Sequence, residues 1–382
     1  MISIDATERL FHLQGKHLSY VFAVDASSSL VHLHYGPRLE GTLDWAMFDD
    51  NPPLELGSST TLEHHDKPIN LHITSLELST YGKGDYREPT LHMETAEGYR
   101  SLHFRYVSHT LKKQVHFPDM PQAEKNETLC ITLQDADHDV ELELYYSLTD
   151  EDVLVRNIVL RNGSRDDLIL DRMFSAHYDF KHCAFTLIKL DGAWLRERHA
   201  HSIPLSYGVF KLDSKKGVSS SDHNPFFALQ GKEAGEQFGD TYGFNLIYSG
   251  SFEALIEVSP HDLTRVVHGI NSFDFKWRLK PGEQFITPES ISTYSPSGLS
   301  GMRDNLHRFT NHRIVKDDRL RPILYNNWEA TYFDFNARKI IKLARAAKRL
   351  GAECFCLDDG WFGTRDDDHQ SLGDWVEHRK KL

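Results

Sequence analysis

The chain has 382 residues, 40% of them hydrophobic and 26% charged, which places it among globular rather than disordered proteins and allows two or three domains at roughly 100–200 residues each. The formal net charge of −13 speaks against nucleic acid as a partner, because phosphate binding needs clustered Lys and Arg. No apolar stretch approaches the roughly 20 residues that cross a bilayer, so no membrane partner is expected.

The N-terminal stretch MISIDATERLF has no basic start followed by an apolar run. This speaks against a secretory signal and for a cytoplasmic location. The cysteines Cys130, Cys183, Cys354 and Cys356 lack zinc-finger spacing and are too sparse for a disulfide scaffold. No cofactor is called for. Asn126-Glu-Thr and Asn162-Gly-Ser match the glycosylation pattern and are read as chance matches.

Up to about residue 295 the chain reads as strands. Val140-Glu-Leu-Glu-Leu-Tyr-Tyr alternates apolar and charged residues, the period of a half-buried strand. Val153–Leu160 and Leu168–Phe174 are apolar runs parted by the turn signal Asn162-Gly163. Tyr242–Ser249 and Phe252–Val258 are parted by Gly250-Ser251, and Leu279-Lys-Pro-Gly-Glu places Pro and Gly where a tight turn needs them. Many short strands with turns between them predict a large β-sandwich over residues 1–297.

The period changes near residue 298. Leu299, Met302, Leu306 and Phe309 are spaced three and four apart, one face of a connecting helix. With the charged loop Lys316-Asp-Asp-Arg-Leu-Arg-Pro322, it makes a linker over about 298–320. A β-α-β unit opens the last segment, 321–382. Ile323-Leu-Tyr is its first strand, ending in Asn326-Asn327-Trp328. Asp334 or Asn336 caps the helix, whose apolar face is Ile340, Ile341, Leu343, Ala344, Ala347 and Leu350. Gly351 sits at its C-terminal cap, and Cys354-Phe-Cys-Leu357 is the second strand, with the cysteines read as buried filler. Two parallel strands joined by a helix begin an α/β domain.

Ligands of parallel α/β folds bind at the carboxyl ends of the strands. Trp328 and the pair Asp358-Asp359 both fall at such ends. An aromatic face beside carboxylates is how sugars are held: C–H faces lie on the ring, and hydroxyls donate to the carboxylates. A packing Trp and an Asp-Asp-Gly turn, or a divalent-metal site, fit the same residues.

The motif series is more specific. Asn326-Asn-Trp-Glu-Ala-Thr-Tyr-Phe-Asp-Phe-Asn336, Leu357-Asp-Asp-Gly-Trp-Phe-Gly363, Arg365-Asp-Asp-Asp368 and Ser371-Leu-Gly-Asp-Trp375 occur in order. Upstream stand Gly192-Ala-Trp-Leu-Arg-Glu-Arg198, His223-Asn-Pro-Phe-Phe227, Tyr242-Gly-Phe244 and Gly269-Ile-Asn-Ser-Phe-Asp-Phe275. Together they resemble the glycoside hydrolase family 36 α-galactosidases of bacterial type, over essentially the whole chain and about half of a family member's usual length.

The resemblance implies an N-terminal β-supersandwich followed by the first strands and helices of a (β/α)₈ barrel, here incomplete. It implies that Asp358 and Asp359 hold galactose hydroxyls, those on carbons 4 and 6, and that Trp328 stands beside the sugar. Trp194 would reach the pocket from a β-domain, in this family from a neighbouring subunit of a tetramer. Asp44, in Leu43-Asp-Trp-Ala-Met-Phe48, matches another contact loosely, while Arg196 and Arg198 share the motif of Trp194 without a separable role. The implied reaction is retaining hydrolysis of terminal α-galactosyl residues of melibiose or raffinose type, through two aspartates about 5–5.5 Å apart. The family's Lys-Trp-Asp-Met-Asn nucleophile segment and its acid/base motif have no match, so no residue here is assigned as catalytic. The expectation is half of a sugar site, able to hold galactose in the complete fold but not to cut it. A barrel needs eight strands and about 250 residues, so strands from 321–382 alone are expected to have unpaired edges. Three other readings stay open: a galactosyl transferase, a non-catalytic sugar-binding or assembly module, and a metal enzyme using Asp358, Asp359 and the acidic run.

Overall fold

The computed structural model describes residues 1–48, 61–64, 67–315 and 319–382. The chain divides into two compact units, Met1–Lys316 and Asp317–Leu382.

The first unit is a layered β-structure. Its largest sheet runs in the order Arg196–Pro204, Phe185–Ala193, His223–Gly231, Thr241–Ile247, Glu289–Ser295, Val153–Asn162, Val140–Leu148, Thr128–Asp135 and Arg105–Lys112, with Gln284–Ile286 also paired to Val153–Asn162. A second sheet runs Gly208–Asp213, Phe252–Val258, Thr264–Ile270, Leu168–Phe180 and Trp277–Leu279, with Leu91–Glu94 paired to Leu168–Phe180. A four-stranded antiparallel sheet formed by Ile2–Asp5, Leu10–Gln14, Leu18–Val24 and Leu30–Pro37 completes the layers. One continuous apolar core joins all three, including Phe22, Tyr146, Leu160, Leu170, Phe227 and Phe244.

The alternation at Val140–Tyr146 is a strand that runs on to Leu148, with Val140, Leu142 and Leu144 buried and Glu141 and Glu143 partly exposed. The run from Leu168 extends further than its apolar stretch, to Phe180. Its second half keeps polar His177 and Asp179, because Thr90 bonds His177 Nδ1 and Arg265 bonds the Asp179 carboxylate inside the sandwich. At Leu279-Lys-Pro-Gly-Glu the Glu283 N–H bonds the Lys280 carbonyl at 3.0 Å, and Gly282 takes φ +77°, the turn conformation that a Cβ disfavours.

The two sequons differ in access. Asn162 is 1% exposed and its Nδ2 donates to the carbonyls of Asp166 (2.8 Å) and Leu279 (2.9 Å), which closes it to a glycan. Asn126 is exposed.

Two buried polar groups sit inside the layers. In one, Glu77 accepts from Tyr20 (2.7 Å) and Tyr146 (3.0 Å), contacts His32 Nδ1 at 2.7 Å and pairs with Arg156 at 3.1 Å. Burial pushes the Glu77 carboxyl up, but Arg156 and His32 outweigh it and hold the group below its usual range. In the other, Arg265 grips Asp179 through Nε and Nη2, each at 2.8 Å, and reaches Asp85 through Nη1 at 2.8 Å. Arg87 bonds Asp85 at 2.9 Å, and all four side chains are buried.

His268 is buried, with Nε2 2.7 Å from Ser290 Oγ. Burial, and then the nearby Arg156, lower its pKa to about 3. Above the unfolded value of about 6.5 neither state is protonated, and the neutral ring contributes its full stability. As pH falls below 6.5 the unfolded chain binds the proton first, and stability is lost at about 1.4 kcal/mol per pH unit until about pH 3. Urea melts at pH 6.5 and 4.5 should therefore differ by about 2 kcal/mol more in the wild type than in His268→Gln. Identical pH dependence in both proteins would contradict this.

The helix Gly298–Phe309 belongs to the first unit. Met302, Leu306 and Phe309 are buried beside Val153, Val155 and Ile291, and Leu299 packs at the margin of the same cluster. It continues as a wider turn, Thr310–Val315. The predicted loop residues Lys316, Asp317 and Asp318 lie outside the described residues.

The second unit contains the predicted parallel pair, Leu324–Asn326 and Cys354–Cys356, in register Leu324↔Cys354, Tyr325↔Phe355 and Asn326↔Cys356. The helix Ala337–Arg349 joins them, capped by the Asn336 side chain, which accepts from the Lys339 N–H at 3.1 Å. Gly351 follows it at φ +95°. Only Ile340 and Ala347 of its predicted apolar face are buried, while Ile341 and Leu350 are exposed. Cys354 and Cys356 are half-buried rather than buried, since their strand pairs with Leu324–Asn326 alone among the described residues. The architecture is a β-sandwich followed by the opening of a parallel β/α fold, with no closed barrel among the described residues. No helix among them is long and apolar enough to cross a membrane.

Candidate functional site

Parallel register fixes where the chemistry gathers. Because Asn326 pairs with Cys356, both strands release their chains at the same edge, and Asn327 N–H bonds the Cys356 carbonyl at 3.4 Å. Asn326, Asn327 and Trp328 leave from one strand, Asp358 and Asp359 from the other.

Two asparagines tie these chains together. The Asn326 side chain donates through Nδ2 to Asp358 Oδ2, and its Oδ1 accepts from the Trp328 N–H at 2.7 Å. Asn327 is fully buried; its Oδ1 accepts from the Asp358 N–H at 2.8 Å and its Nδ2 donates to Thr331 Oγ1 at 2.9 Å. Asp358 Oδ1 in turn accepts from the Asp359 N–H at 2.7 Å. The carboxylates are thus oriented by backbone and amide groups before any ligand arrives.

Asp359 Oδ1 accepts from the Gly360 N–H at 2.9 Å and from Arg365 Nε at 2.5 Å. The Arg365 bond holds the Asp359 carboxyl below its usual range against a smaller opposing effect of burial. Gly360 takes φ +88°, and a Cβ there would come within 3.0 Å of Phe333 and 3.3 Å of Phe335. The Gly in Asp-Asp-Gly is thus demanded by both conformation and space.

Trp328 opens the short helix Trp328–Thr331 and is half-buried. Its ring meets Tyr332 and Phe333 edge-on, with centroids 5.3 and 5.0 Å away. Tyr332, at φ +45°, reverses the chain there, a conformation uncommon for a non-glycine residue.

Asp358, Asp359 and Trp328 therefore come together in the second unit, linked through Asn326. Trp194 and Asp44 belong to the first. Trp194 is 82% exposed, beside the exposed Leu195 at the tip of the hairpin Phe185–Ala193/Arg196–Pro204. Asp44 is exposed and its Oδ1 accepts from the Ala46 N–H at 2.9 Å, capping the short helical turn Trp45–Phe48. Asn326, Asn327 and Arg365 are the residues that sequence reasoning passed over. Paired asparagines at a strand end were the available signal for the first two.

The acidic run is engaged locally. Asp366 pairs with Lys381 at 2.8 Å, and Asp367 Oδ1 accepts from the His369 N–H at 2.9 Å. Among the described residues no three His, Cys, Asp or Glu side chains gather as a metal site.

Comparison with known proteins gives the family and the fold. The model of the glycosyl hydrolase family 36 N-terminal domain matches residues 28–280, and the melibiase model matches residues 284–382. The chain is 39% identical to α-galactosidase AgaA of Geobacillus stearothermophilus, covering 100% of this chain and 53% of that protein. It is 37% identical to α-galactosidase 1 of Pediococcus pentosaceus, with the same coverage of 100% and 53%. The crystal structure of an α-galactosidase from Lactobacillus brevis superposes with a TM-score of 0.93 at 33% identity, covering 100% of this chain and 52% of that one. An AgaA variant from G. stearothermophilus in complex with raffinose superposes with a TM-score of 0.93 at 39% identity, covering 98% and 53%. The chain spans about half the length of the relatives it matches.

Proposed function

Because the chain belongs to glycoside hydrolase family 36, we propose that it forms the galactose-holding part of an α-galactosidase that hydrolyses terminal α-galactosyl residues with retention. The observation that carries this reading is the Asp358-Asp359 pair at the end of a parallel strand, tied through Asn326 to Trp328. The relatives named above are α-galactosidases, and one was crystallised with raffinose.

In this reading Asp358 and Asp359 accept hydrogen bonds from the galactose hydroxyls on carbons 4 and 6. Charge-assisted bonds of this kind are stronger than neutral ones. Trp328 stands beside the apolar face of the ring. Trp194, from a neighbouring subunit of a tetramer, and more loosely Asp44 are further sugar contacts in this reading.

The two aspartates are not the hydrolytic pair. Retaining hydrolysis needs one carboxylate to attack the anomeric carbon and a second, about 5–5.5 Å away, to protonate the leaving oxygen and then activate water. Asp358 and Asp359 are consecutive, and the Asp359 N–H itself bonds the Asp358 carboxylate. They cannot flank one glycosidic bond from opposite sides. The 382 residues alone are therefore expected to bind galactose in calorimetry and to leave an aryl α-galactoside intact. Robust turnover that is lost in Asp358→Asn would overturn the assignment of these aspartates to holding. With the whole protein, products from raffinose plus sucrose distinguish hydrolysis from transfer.

A further inference from the structure

One charged side chain in the second unit has no task in the sugar reading. Arg365 is only 3% exposed. Its Nε donates to Asp359 Oδ1 at 2.5 Å and its Nη1 to the Gln370 carbonyl at 2.6 Å. Its guanidinium carbon lies 5.6 Å from the Phe333 ring centroid and 5.9 Å from that of Phe362. Phe333 is the ring that Trp328 meets edge-on. Arg365 therefore touches both halves of the candidate site, the carboxylate directly and the tryptophan through one aromatic neighbour.

The protein uses the two oxygens of Asp359 unequally. Oδ1 takes both the Arg365 and the Gly360 donors, while among the described residues Oδ2 has no protein donor. A carboxylate fixed through one oxygen keeps its plane and leaves the other free to accept from a ligand. From this geometry we infer that Arg365 is a positioning residue for sugar affinity, clamping Asp359 through Oδ1 so that Oδ2 is presented as a fixed acceptor for a galactose hydroxyl. The inference rests on the reading that Asp359 holds galactose.

The other charges around the pair are accounted for. Lys381 also favours the ionised Asp359, and its Nζ is committed to the Phe333 carbonyl at 2.8 Å and to Asp366 at 2.8 Å. Asp358 contributes an acceptor to the Asp359 backbone rather than to its carboxylate. Asp367 and Asp368 favour the charged guanidinium of Arg365. Arg365 is the nearest cation to Asp359 and the one that bonds it. A staple serving only the loop would need the bond to Gln370 and not the bond to Asp359.

The test uses the 382-residue chain as wild type, R365Q, R365K and D359N. Carboxyl carbon-13 NMR follows the titration of Asp359, its resonance assigned by its loss in D359N, while calorimetry at pH 7 measures D-galactose binding. The expected wild-type midpoint lies below the ordinary aspartate value of about 3.9. In R365Q it rises to that value or above, and galactose affinity falls roughly tenfold or more. R365K, which keeps the charge but not the planar fork, lies between them in both measurements. An unchanged Asp359 midpoint in folded R365Q, or an R365Q affinity equal to that of a wild type that does bind galactose, overturns this inference alone. A folded wild type that binds no galactose overturns the proposed function and this inference with it. Should R365Q fail to fold, R365K decides: affinity equal to wild type, with equal far-ultraviolet dichroism, overturns the clamp.

Discussion

Arg265→Met should lower the unfolding free energy of the first unit by roughly 3–5 kcal/mol, the usual cost of stranding a buried charge. The reason is the arithmetic of the cluster. Arg265 and Arg87 face Asp179 and Asp85, two cations and two anions, all buried. Removing Arg265 leaves Asp179 with a 2.9 Å bond from the Leu76 N–H, His177 Nε2 at 3.0 Å and a longer 3.4 Å contact to Arg87 Nη1. Arg87 cannot replace the lost grip, because its Nη2 already donates to the carbonyls of Leu71 and Thr74, each at 2.7 Å. Against a typical domain stability of about 5–15 kcal/mol the loss is a large fraction. Arg265→Lys should be milder, keeping the charge and losing the two-pronged contact with Asp179. Urea melts followed by circular dichroism give the comparison; a methionine variant within about 1 kcal/mol of wild type would refute the account.

Asp358→Asn should weaken galactose binding by roughly 10–100-fold while the second unit stays folded. The substitution is nearly isosteric, so its effect lies in the hydrogen bonds. Asp358 now accepts from Asn326 Nδ2 on one oxygen and from the Asp359 N–H on the other. An asparagine must turn its NH₂ toward one of those donors, and donor then faces donor. It also removes the charge that strengthens bonds from sugar hydroxyls. Calorimetry on the 382-residue chain, and kcat/KM on the whole protein, are the measurements. A threefold change or less in both would remove Asp358 from the site.

Much of this is legible in the amino-acid sequence. Local periodicity carried the strand Val140–Leu148, the buried face Met302, Leu306 and Phe309 and the cap at Asn336, because each is set by neighbours a few residues away. The β-α-β pattern also placed Trp328 and Asp358 at strand ends without homology. What stayed hidden depends on distant partners. The polar second half of Leu168–Phe180 gives no apolar signal, yet it is buried because Arg265 and Thr90 come from far along the chain to meet Asp179 and His177. Arg365 reads as part of a solvated charge run, and nothing local distinguishes it from its acidic neighbours. The cysteines at 354 and 356 alternate like core residues, but burial depends on how many strands flank theirs, which alternation cannot count.

The other buried group, in which Glu77 is ringed by Tyr20, Tyr146, His32 and Arg156, also constrains how this sequence can change over time. The members bond one another, so replacing Glu77 or Arg156 leaves a buried charge unpaired, and replacing Tyr20, Tyr146 or His32 removes a hydrogen bond from Glu77. A wholly apolar set of matching shape could be as stable or more so. Reaching it would require several substitutions, with the early intermediates less stable than either end point. The cluster thus acts as a ratchet: drift can cross it only where surplus stability elsewhere carries the fold through the intermediates.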